Sequence, residues 1–334
     1  MRRSRTLPSR SLAGMGSFCS RPASSRPTRI SPACDTIDGK AISDTVLVEI
    51  RRGVDELRAA GLSEPSLVVL LVGDNPASLS YIKRKLKAAE DCGISARKLV
   101  LPETASEAEV VRAVEDLNAD DAVHGIIVQL PLPSHVRAST VTNTVRHEKD
   151  VDGFTMQSIG SVASSGQEPC FCPCTPKGCL RLIKSALGEM GLRGKEAVVI
   201  GASNIVGVPM ALLLLREGCT VTVCHIDTVN TRAHARTADI LVVAVGKAGL
   251  VQKDWVKPGA VVIDVGINFV SDSSKKSGQR MAGDCAPKVR EVAGHLTPVP
   301  GGVGPMTVAM LMHNTLEARR RRAGFAPLAA EVVG

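Results

Sequence analysis

The stretch from Glu196 to Glu217, EAVVIGASNIVGVPMALLLLRE, decides the fold of this chain. A short apolar run, Ala197 to Ile200, stops at Gly201, and a second glycine, Gly207, follows six residues later. The unbroken apolar run from Met210 to Leu215 suits a buried helix. A strand, a glycine turn and a helix in this order are typical of a βα unit that binds phosphate groups, because the amides and the dipole at a helix N-terminus favour an anion.

The glycine spacing of this turn leaves two interpretations open. It departs from the usual G-x-G-x-x-G pattern, because Ser203 stands at the place of the second glycine and Gly207 comes one residue late. The turn is therefore either a nucleotide site or an ordinary βα connection in an α/β domain. The spacing alone does not separate the two.

Short apolar runs alternate with helical patterns on both sides of this unit. Further strands are predicted at Leu67–Val72, Lys98–Leu101, Gly125–Leu130, Thr220–His225, Ile240–Val245 and Ala260–Val265. Helices are predicted at Ile42–Ala60, Ala77–Cys92, Ser106–Leu117, Thr175–Leu187, Thr231–Arg236 and Met310–Arg322. This alternation predicts an α/β fold with parallel sheets and helices on both faces. Residues 160–173 are predicted to be an irregular linker, and the tract from Thr297 to Thr307 is rich in proline and glycine.

Composition limits the class of protein. The length of 334 residues suggests two domains, and 44% hydrophobic with 22% charged residues is ordinary for a globular chain. No apolar run reaches the ~20 residues that a membrane helix needs. Aromatic residues make up only 2%, which argues against nucleic-acid binding through base stacking.

The formal charge of +8 is concentrated at the N-terminus. Residues 1–30 contain seven arginines, seven serines and no acidic residue, which leaves a charge of about +1 for the rest of the chain. This composition predicts an organellar transit peptide, and the alternative is a disordered basic tail.

The ten cysteines do not indicate a disulfide framework, since the chain is large and carries no secretory signal. Cys170, Cys172 and Cys174 are clustered, but no matching Cys or His pair lies at zinc-site spacing. We therefore predict reduced structural thiols and no metal site.

Three polar residues are candidates for chemistry near the predicted first strand. Tyr81 and Lys85 are four apart, so they share one face of a helix, and Ser78 lies at the start of that helix. A lysine beside a tyrosine ring and partly removed from water can move protons. The alternative is a solvated face, because several neighbours are also basic: Lys83, Arg84 and Lys87.

Two further segments carry polar groups at predicted strand ends. Gln129 ends an apolar strand, where a buried amide needs partners, so it is either a ligand for a lysine or substrate or a loop cap. Asp150 and Asp152 flank Val151, and one of them can bind paired N–H groups of a polar ring unless both belong to an Asx-type turn. The glycines from residue 298 to residue 305 allow the backbone to approach a flat ligand closely, or they form a rigid connector.

These segments together resemble the bifunctional methylenetetrahydrofolate dehydrogenase/cyclohydrolase family, from about Ile37 to Glu317. The motifs that carry the resemblance occur in the order of the family. They are PASLSYIKRKLKAAEDCGI, GIIVQLPLP, KDVDGF, PCTPKG, GASNIVGVPMA, ADILVVAVGKAGLV, VVIDVGIN and TPVPGGVGPMT.

The resemblance implies a domain order and an activity. Residues 35–170 would form a folate-binding catalytic domain, residues 171–308 a Rossmann-like NAD(P)-binding domain, and residues 309–325 a helix that returns to the first domain. The folate would lie in the cleft between the domains of a homodimer. NAD(P)⁺ would oxidise 5,10-methylenetetrahydrofolate to the methenyl cation, and water would open that cation to 10-formyltetrahydrofolate.

The resemblance also implies roles for single residues. Lys85 would move the proton during hydration, Gln129 would hydrogen-bond that lysine, and Tyr81 would stack on the folate. Asp152 would bind the edge of the pterin. The implied folate contacts are Ser78, Tyr81, Lys85, Val128, Gln129, Leu130, Asp152, Pro300, Gly301, Gly302, Val303 and Gly304. The implied cofactor contacts are Gly201, Ala202, Ser203, Ile226, Asp227 and Ile267.

Two departures from the family pattern concern the choice of cofactor. Many members have Arg at the position of Ala202, where it meets the 2′-phosphate of NADP, and Ser or Arg at the position of Ile226. Here Asp227 follows the second Rossmann strand, where an acid can bind the ribose 2′-hydroxyl of NAD. We therefore hypothesise weakened NADP preference or NAD use, unless Arg232 or Arg236 supplies the missing cation.

The leading interpretation is a bifunctional folate enzyme of the mitochondrion, with the plastid or the cytoplasm as alternatives. A monofunctional dehydrogenase is the rival among enzymes, and the presence of both Lys85 and Gln129 argues against it. An RNA-binding protein with a Rossmann-like core is the rival from another class. The near-neutral charge after residue 30 and the scarce aromatics argue against that rival, so no nucleic-acid or membrane partner is expected.

Overall fold

The computed structural model of the protein describes residues 34–164, 168–275, 277–326 and 328, without the side chains of residues 77 and 189. The predicted leader, residues 1–30, lies outside the described residues. None of the helices that are described combines the length and the apolar character that a membrane crossing requires.

The first sheet has three parallel strands in the order β3-β2-β4. They are β2 (Ser66–Val72), β3 (Ser95–Leu101) and β4 (Gly125–Val128). Helices α1 (Gly39–Ala59) and α2 (Pro76–Cys92) cover one face, and α3 (Glu107–Ala119) and α4 (Ala138–Thr144) cover the other. Alternate residues of β2 enter two different apolar clusters, because successive side chains of a strand point to opposite faces. Burial on both faces explains why this strand is apolar throughout.

The second sheet has six parallel strands in the order β1-β11-β8-β7-β5-β6. They are β1 (Asp35–Thr36), β5 (Glu196–Ile200), β6 (Thr220–Cys224), β7 (Ile240–Val243), β8 (Val261–Asp264) and β11 (His295–Leu296). Helices α6 (Cys174–Leu187), α7 (Gly207–Arg216) and α8 (Thr231–Ala235) connect or cover them. The chain passes from β5 to β6 on one side and then crosses to β7 on the other. The strand order therefore reverses between β5 and β7, which is where dinucleotides bind in such sheets.

Several segments differ from the sequence-based expectations. Strand β1 pairs with β11, so residues 35 and 36 lie in the second sheet although we assign 35–170 to the catalytic domain. Helix α5 (Met156–Ala163) occupies the start of the segment predicted as an irregular linker. In contrast, the antiparallel hairpin of β9 (Asn268–Ser271) and β10 (Gln279–Ala282) agrees with the surface hairpin or loop that the polar, lysine-rich sequence of residues 271–283 predicts.

Helix α9 (Val303–Arg322) begins seven residues before the predicted Met310. Pro305 is tolerated there because the first turn of a helix has no partner for its N–H groups. The helix packs against α1, α2 and α6, and its terminal arginines bind separate parts of the chain. Arg320 pairs with Glu56 at 2.7 Å, and Arg319 donates to the Ser63 carbonyl at 3.1 Å.

Candidate functional site

Lys85 and Gln129 meet at the carboxyl edge of the first sheet. Lys85 lies on α2, which follows β2 after a short loop, and Gln129 comes directly after β4. Because β2 and β4 are parallel neighbours, the segments after them lie side by side. Lys85 Nζ donates to Gln129 Oε1 at 3.1 Å, and Gln129 Nε2 donates to the Leu130 carbonyl at 2.7 Å. The second bond orients the amide so that its oxygen faces Lys85.

The two aspartates of the KDVDGF segment have different surroundings. Asp150 is buried and holds the turn that leads into α5, since its oxygens accept from three backbone N–H groups and one hydroxyl. These donors belong to Gly153, Phe154, Thr155 and Ser158. Asp152 is half-buried, and its removal from water raises the pKa of the carboxyl while the positive charge of Lys85 opposes that shift. Asp150 therefore forms the Asx-type turn, and Asp152 lies near enough to Lys85 for the two charges to interact.

The other candidates of the first domain have unequal access to a ligand. Tyr81 lies one helical turn before Lys85 with 37% of its surface exposed, and the guanidinium of Arg84 lies 4.5 Å from the centre of its ring. Ser78 is buried in the first turn of α2, where its N–H donates to Asn75 Oδ1 at 3.2 Å. The side chain of Val128 belongs to the apolar cluster of α3 and α4, so any ligand contact of Val128 is through its backbone.

Asn314 of α9 supports the segment that carries Asp152, and the sequence analysis did not identify it. This side chain is fully buried, and its Nδ2 donates to the carbonyls of Val151 and Cys172 at 2.9 and 3.1 Å. Its Oδ1 accepts from Lys177 Nζ at 2.9 Å, and the same ammonium lies 3.0 Å from His313 Nδ1. Burial lowers the pKa of both Lys177 and His313. The imidazole is therefore neutral, and its Nδ1 accepts a hydrogen bond from the Lys177 ammonium.

The turn after β5 has the backbone shape of a phosphate-binding loop. Gly201 has a φ of +114°, and a Cβ atom there would lie 2.2 Å from the carbonyl oxygen of Ala244. A Cβ at Gly207 would lie 1.8 Å from the Gly201 oxygen, so both positions require glycine. The Ser203 hydroxyl accepts from the N–H groups of Val206 and Gly207 at 3.2 and 3.4 Å. The N–H groups at the start of α7 are thus partly satisfied within the turn itself.

The amides that remain for an anion come from the loop itself. Within the part of the chain that the structure describes, no acceptor meets the backbone N–H groups of residues 202–205, and these residues are exposed. A glycine turn that excludes side chains, followed by unpaired N–H groups at a helix N-terminus, fits the pyrophosphate of a dinucleotide. The residues present therefore fit a nicotinamide cofactor.

The segment after β6 is open to solvent. Ile226 is 97% exposed, and the side chain of Asp227 is 84% exposed with its carboxylate 3.6 Å from His225 Nδ1. Arg232 pairs with Asp254 at 2.6 Å, so this candidate cation already has a carboxylate partner. Ile267 lies in the turn after β8 and is 40% exposed.

The segment from Pro300 to Gly304, a loop followed by the first two residues of α9, joins the two parts of the fold. A Cβ atom at Gly39, the first residue of α1, would lie 2.0 Å from the Gly302 oxygen, so this loop lies directly against the first domain. Val303 begins α9 and is buried in the cluster shared by both sheets. The glycines permit this close backbone approach, which we had expected toward a ligand.

Comparison with known proteins identifies the family. The model of the tetrahydrofolate dehydrogenase/cyclohydrolase catalytic domain matches residues 37–152, and that of the family's NAD(P)-binding domain matches residues 173–323. The chain is 48% identical over 290 residues to the "Bifunctional protein FolD 4, chloroplastic" of Arabidopsis thaliana, covering 86% of this chain and 80% of the relative.

Solved structures agree with these matches. The bifunctional FolD of Campylobacter jejuni is 43% identical with a TM-score of 0.81, over 87% of this chain and 100% of that one. The FolD of Trypanosoma brucei, solved with NADP and an inhibitor, is 37% identical with a TM-score of 0.83, over 88% and 99%. The predicted α/β class with two domains is confirmed, as is the resemblance stated from the motifs. The chain therefore belongs to the tetrahydrofolate dehydrogenase/cyclohydrolase family.

Proposed function

We propose that this chain catalyses two successive reactions on one folate. It oxidises 5,10-methylenetetrahydrofolate to the 5,10-methenyl form with NAD(P)⁺, and it hydrolyses that product to 10-formyltetrahydrofolate. The observation that carries this proposal is the 3.1 Å bond between Lys85 Nζ and Gln129 Oε1, beside Asp152, in a chain that also has a dinucleotide-type glycine turn.

The oxidation needs orientation more than acid or base catalysis. When bound, the nicotinamide ring accepts the hydride of the methylene carbon. The protein holds the reactants: Asp152 accepts N–H groups of the pterin, Tyr81 stacks on its ring, and the turn at Gly201 holds the pyrophosphate. The loop from Pro300 to Gly304 lines the folate and excludes water.

The hydrolysis needs a proton carrier, and Lys85 is placed for that role. Water adds to the methenyl carbon, one of its protons must leave, and a proton must reach the ring nitrogen as the carbon–nitrogen bond breaks. Lys85 Nζ carries this proton, while the Gln129 oxygen and the Asp152 carboxylate keep the amine oriented.

We also propose that the cofactor site favours NAD. The carboxylate of Asp227 lies beyond the second strand of the Rossmann-like sheet, where an acid accepts from the ribose 2′-hydroxyl and repels a 2′-phosphate. Ala202 offers no cation for that phosphate, and Arg232 is paired with Asp254. Arg236 is the remaining candidate cation of those that the sequence suggests.

The test is an ultraviolet assay of purified enzyme. The methenyl product is followed with NAD and NADP in turn, and synthetic methenyltetrahydrofolate is then supplied without any cofactor. We expect cofactor reduction in the first assay, decay of the methenyl signal in the second, and a higher kcat/KM with NAD. Failure to hydrolyse the methenyl compound would contradict the bifunctional assignment, and a strong NADP preference would contradict the cofactor choice.

The proposal also covers the role of the leader and the oligomeric state. Residues 1–30 direct the protein to the mitochondrion, with the plastid as the alternative destination, and the enzyme is a homodimer. A fluorescent protein fused to residues 1–33 reports the organelle, and light scattering reports the mass in solution. Diffuse cytoplasmic fluorescence or a mass near 35.1 kDa would contradict these two statements.

A further inference from the structure

A pair of buried carboxylates lies beneath the loops of the second sheet. Asp264, at the end of β8, is 4% exposed, and Asp284, just after β10, is fully buried. One oxygen of Asp284 accepts from the N–H groups of Val245 and Gly246 at 2.7 and 3.0 Å. The other accepts from Asn268 Nδ2 at 2.9 Å. Asp284 thus joins the loop after β7 to the start of β9.

Asp264 completes the cluster from the opposite side. Its Oδ1 accepts from the N–H groups of Gly266 and Asp284 at 3.1 and 2.9 Å, and its Oδ2 accepts from that of Cys285 at 2.9 Å. Its own N–H donates to the Thr297 hydroxyl at 2.8 Å, in the segment after β11. The two carboxylates therefore connect the segments that follow β7, β8 and β11.

Burying these two carboxylates costs free energy that an apolar core would not cost. Among the described residues, no cation pairs with either carboxylate, and burial raises the pKa of Asp264 to about 6 while the N–H donors oppose that shift. A Cβ atom at Gly266 would lie 2.2 Å from Asp284 Oδ1, and one at Gly283 would lie 1.9 Å from Asp264 Oδ2. Two glycines and two buried carboxylates without a cationic partner are thus committed to holding these loops. An apolar core could pack the same strands without burying charge.

The strand order indicates which part of a cofactor these loops would meet. The glycine turn follows β5, and Asp227 follows β6 on one side of it. Strands β7 and β8 lie on the other side of β5. A dinucleotide that crosses the sheet at the reversal between β5 and β7 has its adenosine half toward β6, so its nicotinamide half lies over β7 and β8.

We propose that Asp284 and Asp264 are positioning residues, which hold the loops after β7 and β8 in the shape that receives the nicotinamide half of the cofactor. This inference rests on the proposed function. The carboxylates act through the loop amides and do not touch the cofactor. They therefore set the efficiency of oxidation and leave the hydrolysis at Lys85, in the other domain, unaffected.

The test compares four variants with the unsubstituted enzyme. Asp284→Ala removes all three acceptor contacts, and Asp284→Asn keeps an oxygen for the two loop amides. Asn268→Ala removes one donor at a half-buried position and is the milder change if Asp284→Ala does not fold. Glu291→Gln is the control, because it removes an exposed carboxylate of the same domain that pairs with Lys253. Each variant is assayed for kcat and KM with the cofactor and for hydrolysis of methenyltetrahydrofolate without it.

For Asp284→Ala we expect kcat/KM for the cofactor to fall by about tenfold to a hundredfold, because loop misplacement of about 1 Å has that effect. Hydrolysis should stay within about twofold of the unsubstituted enzyme. Asp284→Asn should recover most of the loss, Asn268→Ala should lose several-fold, and Glu291→Gln should lose nothing. Equal losses of oxidation and hydrolysis, or oxidation unchanged in both Asp284→Ala and Asn268→Ala, would overturn the proposal. If the unsubstituted enzyme itself lacked oxidation, the proposed function would fail instead.

Discussion

Replacement of Asn314 by leucine should destabilise the protein strongly, although the two side chains have the same branched arrangement of heavy atoms. The amide is fully buried and makes four hydrogen bonds: it donates to two carbonyls and to the Cys174 sulfur, and it accepts from the Lys177 ammonium. In the variant the Val151 carbonyl still accepts from the Cys174 thiol at 3.3 Å, so this carbonyl keeps one hydrogen-bond partner. The Cys172 carbonyl and the ammonium each lose a partner, and each such loss costs about 1–3 kcal/mol. We expect a loss of about 4 kcal/mol in the free energy of unfolding.

The assay is urea denaturation followed by circular dichroism, with a matched control and a double-mutant cycle. Asn143→Leu makes the same chemical change at an exposed site, where Asn143 Nδ2 donates to the Ser139 carbonyl and Oδ1 accepts from the Met156 N–H, and should cost about 1 kcal/mol or less. Lys177→Met removes the buried charge together with its partner bonds, so the double variant with Asn314→Leu should cost less than the two single changes added. If Asn314→Leu costs no more than Asn143→Leu, the assigned role of Asn314 is wrong.

Three further predictions concern separate residues. The pKa of His124 is lowered to about 4 by burial and nearby cations, so unfolding exposes a ring that takes up a proton below about pH 6.5. Stability should therefore fall by up to about 3 kcal/mol between pH 6.5 and pH 4, and urea titrations of His124→Asn should show a flatter dependence. Gly201→Ala should lower oxidation at least about tenfold in steady-state assays and leave methenyl hydrolysis intact, because its Cβ would meet Ala244. Asp227→Ser should raise the NADP/NAD ratio of kcat/KM by about tenfold, and an unchanged ratio would show that Asp227 does not select the cofactor.

Much of the fold could be predicted, because buried strands and tight turns require apolar runs and glycines that are visible in the local sequence. Strand β2 is buried on both faces, so its sequence is apolar at every position from Leu67 onward. The exceptions depend on contacts that are distant in sequence. Strands β1 and β11 have two residues each and exist only through their pairing, which no local pattern encodes. The start of α9 was missed because prolines and glycines that suit a first turn resemble a loop.

The candidate site likewise combines features that the sequence predicts with features that depend on contacts distant in sequence. The contact of Lys85 with Gln129 was implied by the family resemblance, and the structure places the two side chains within hydrogen-bond distance. The choice between Asp150 and Asp152 could not follow, since it depends on which carboxylate accepts from the N–H groups of residues 153–155. Asn314 had one usable signal: with His313 and Thr315 it lies between apolar residues of the predicted helix, where buried polar groups need partners.

The most direct test of the central claim replaces Lys85 by methionine, which keeps the bulk of the side chain and removes the proton carrier. The measurement is the rate of methenyltetrahydrofolate hydrolysis, with the dissociation constant of the cofactor determined on the same preparation. The account predicts that hydrolysis falls by at least about a hundredfold, the usual contribution of general acid–base catalysis, while cofactor binding stays within about twofold. Hydrolysis that survives the substitution would contradict the role of Lys85 and the bifunctional mechanism built on it.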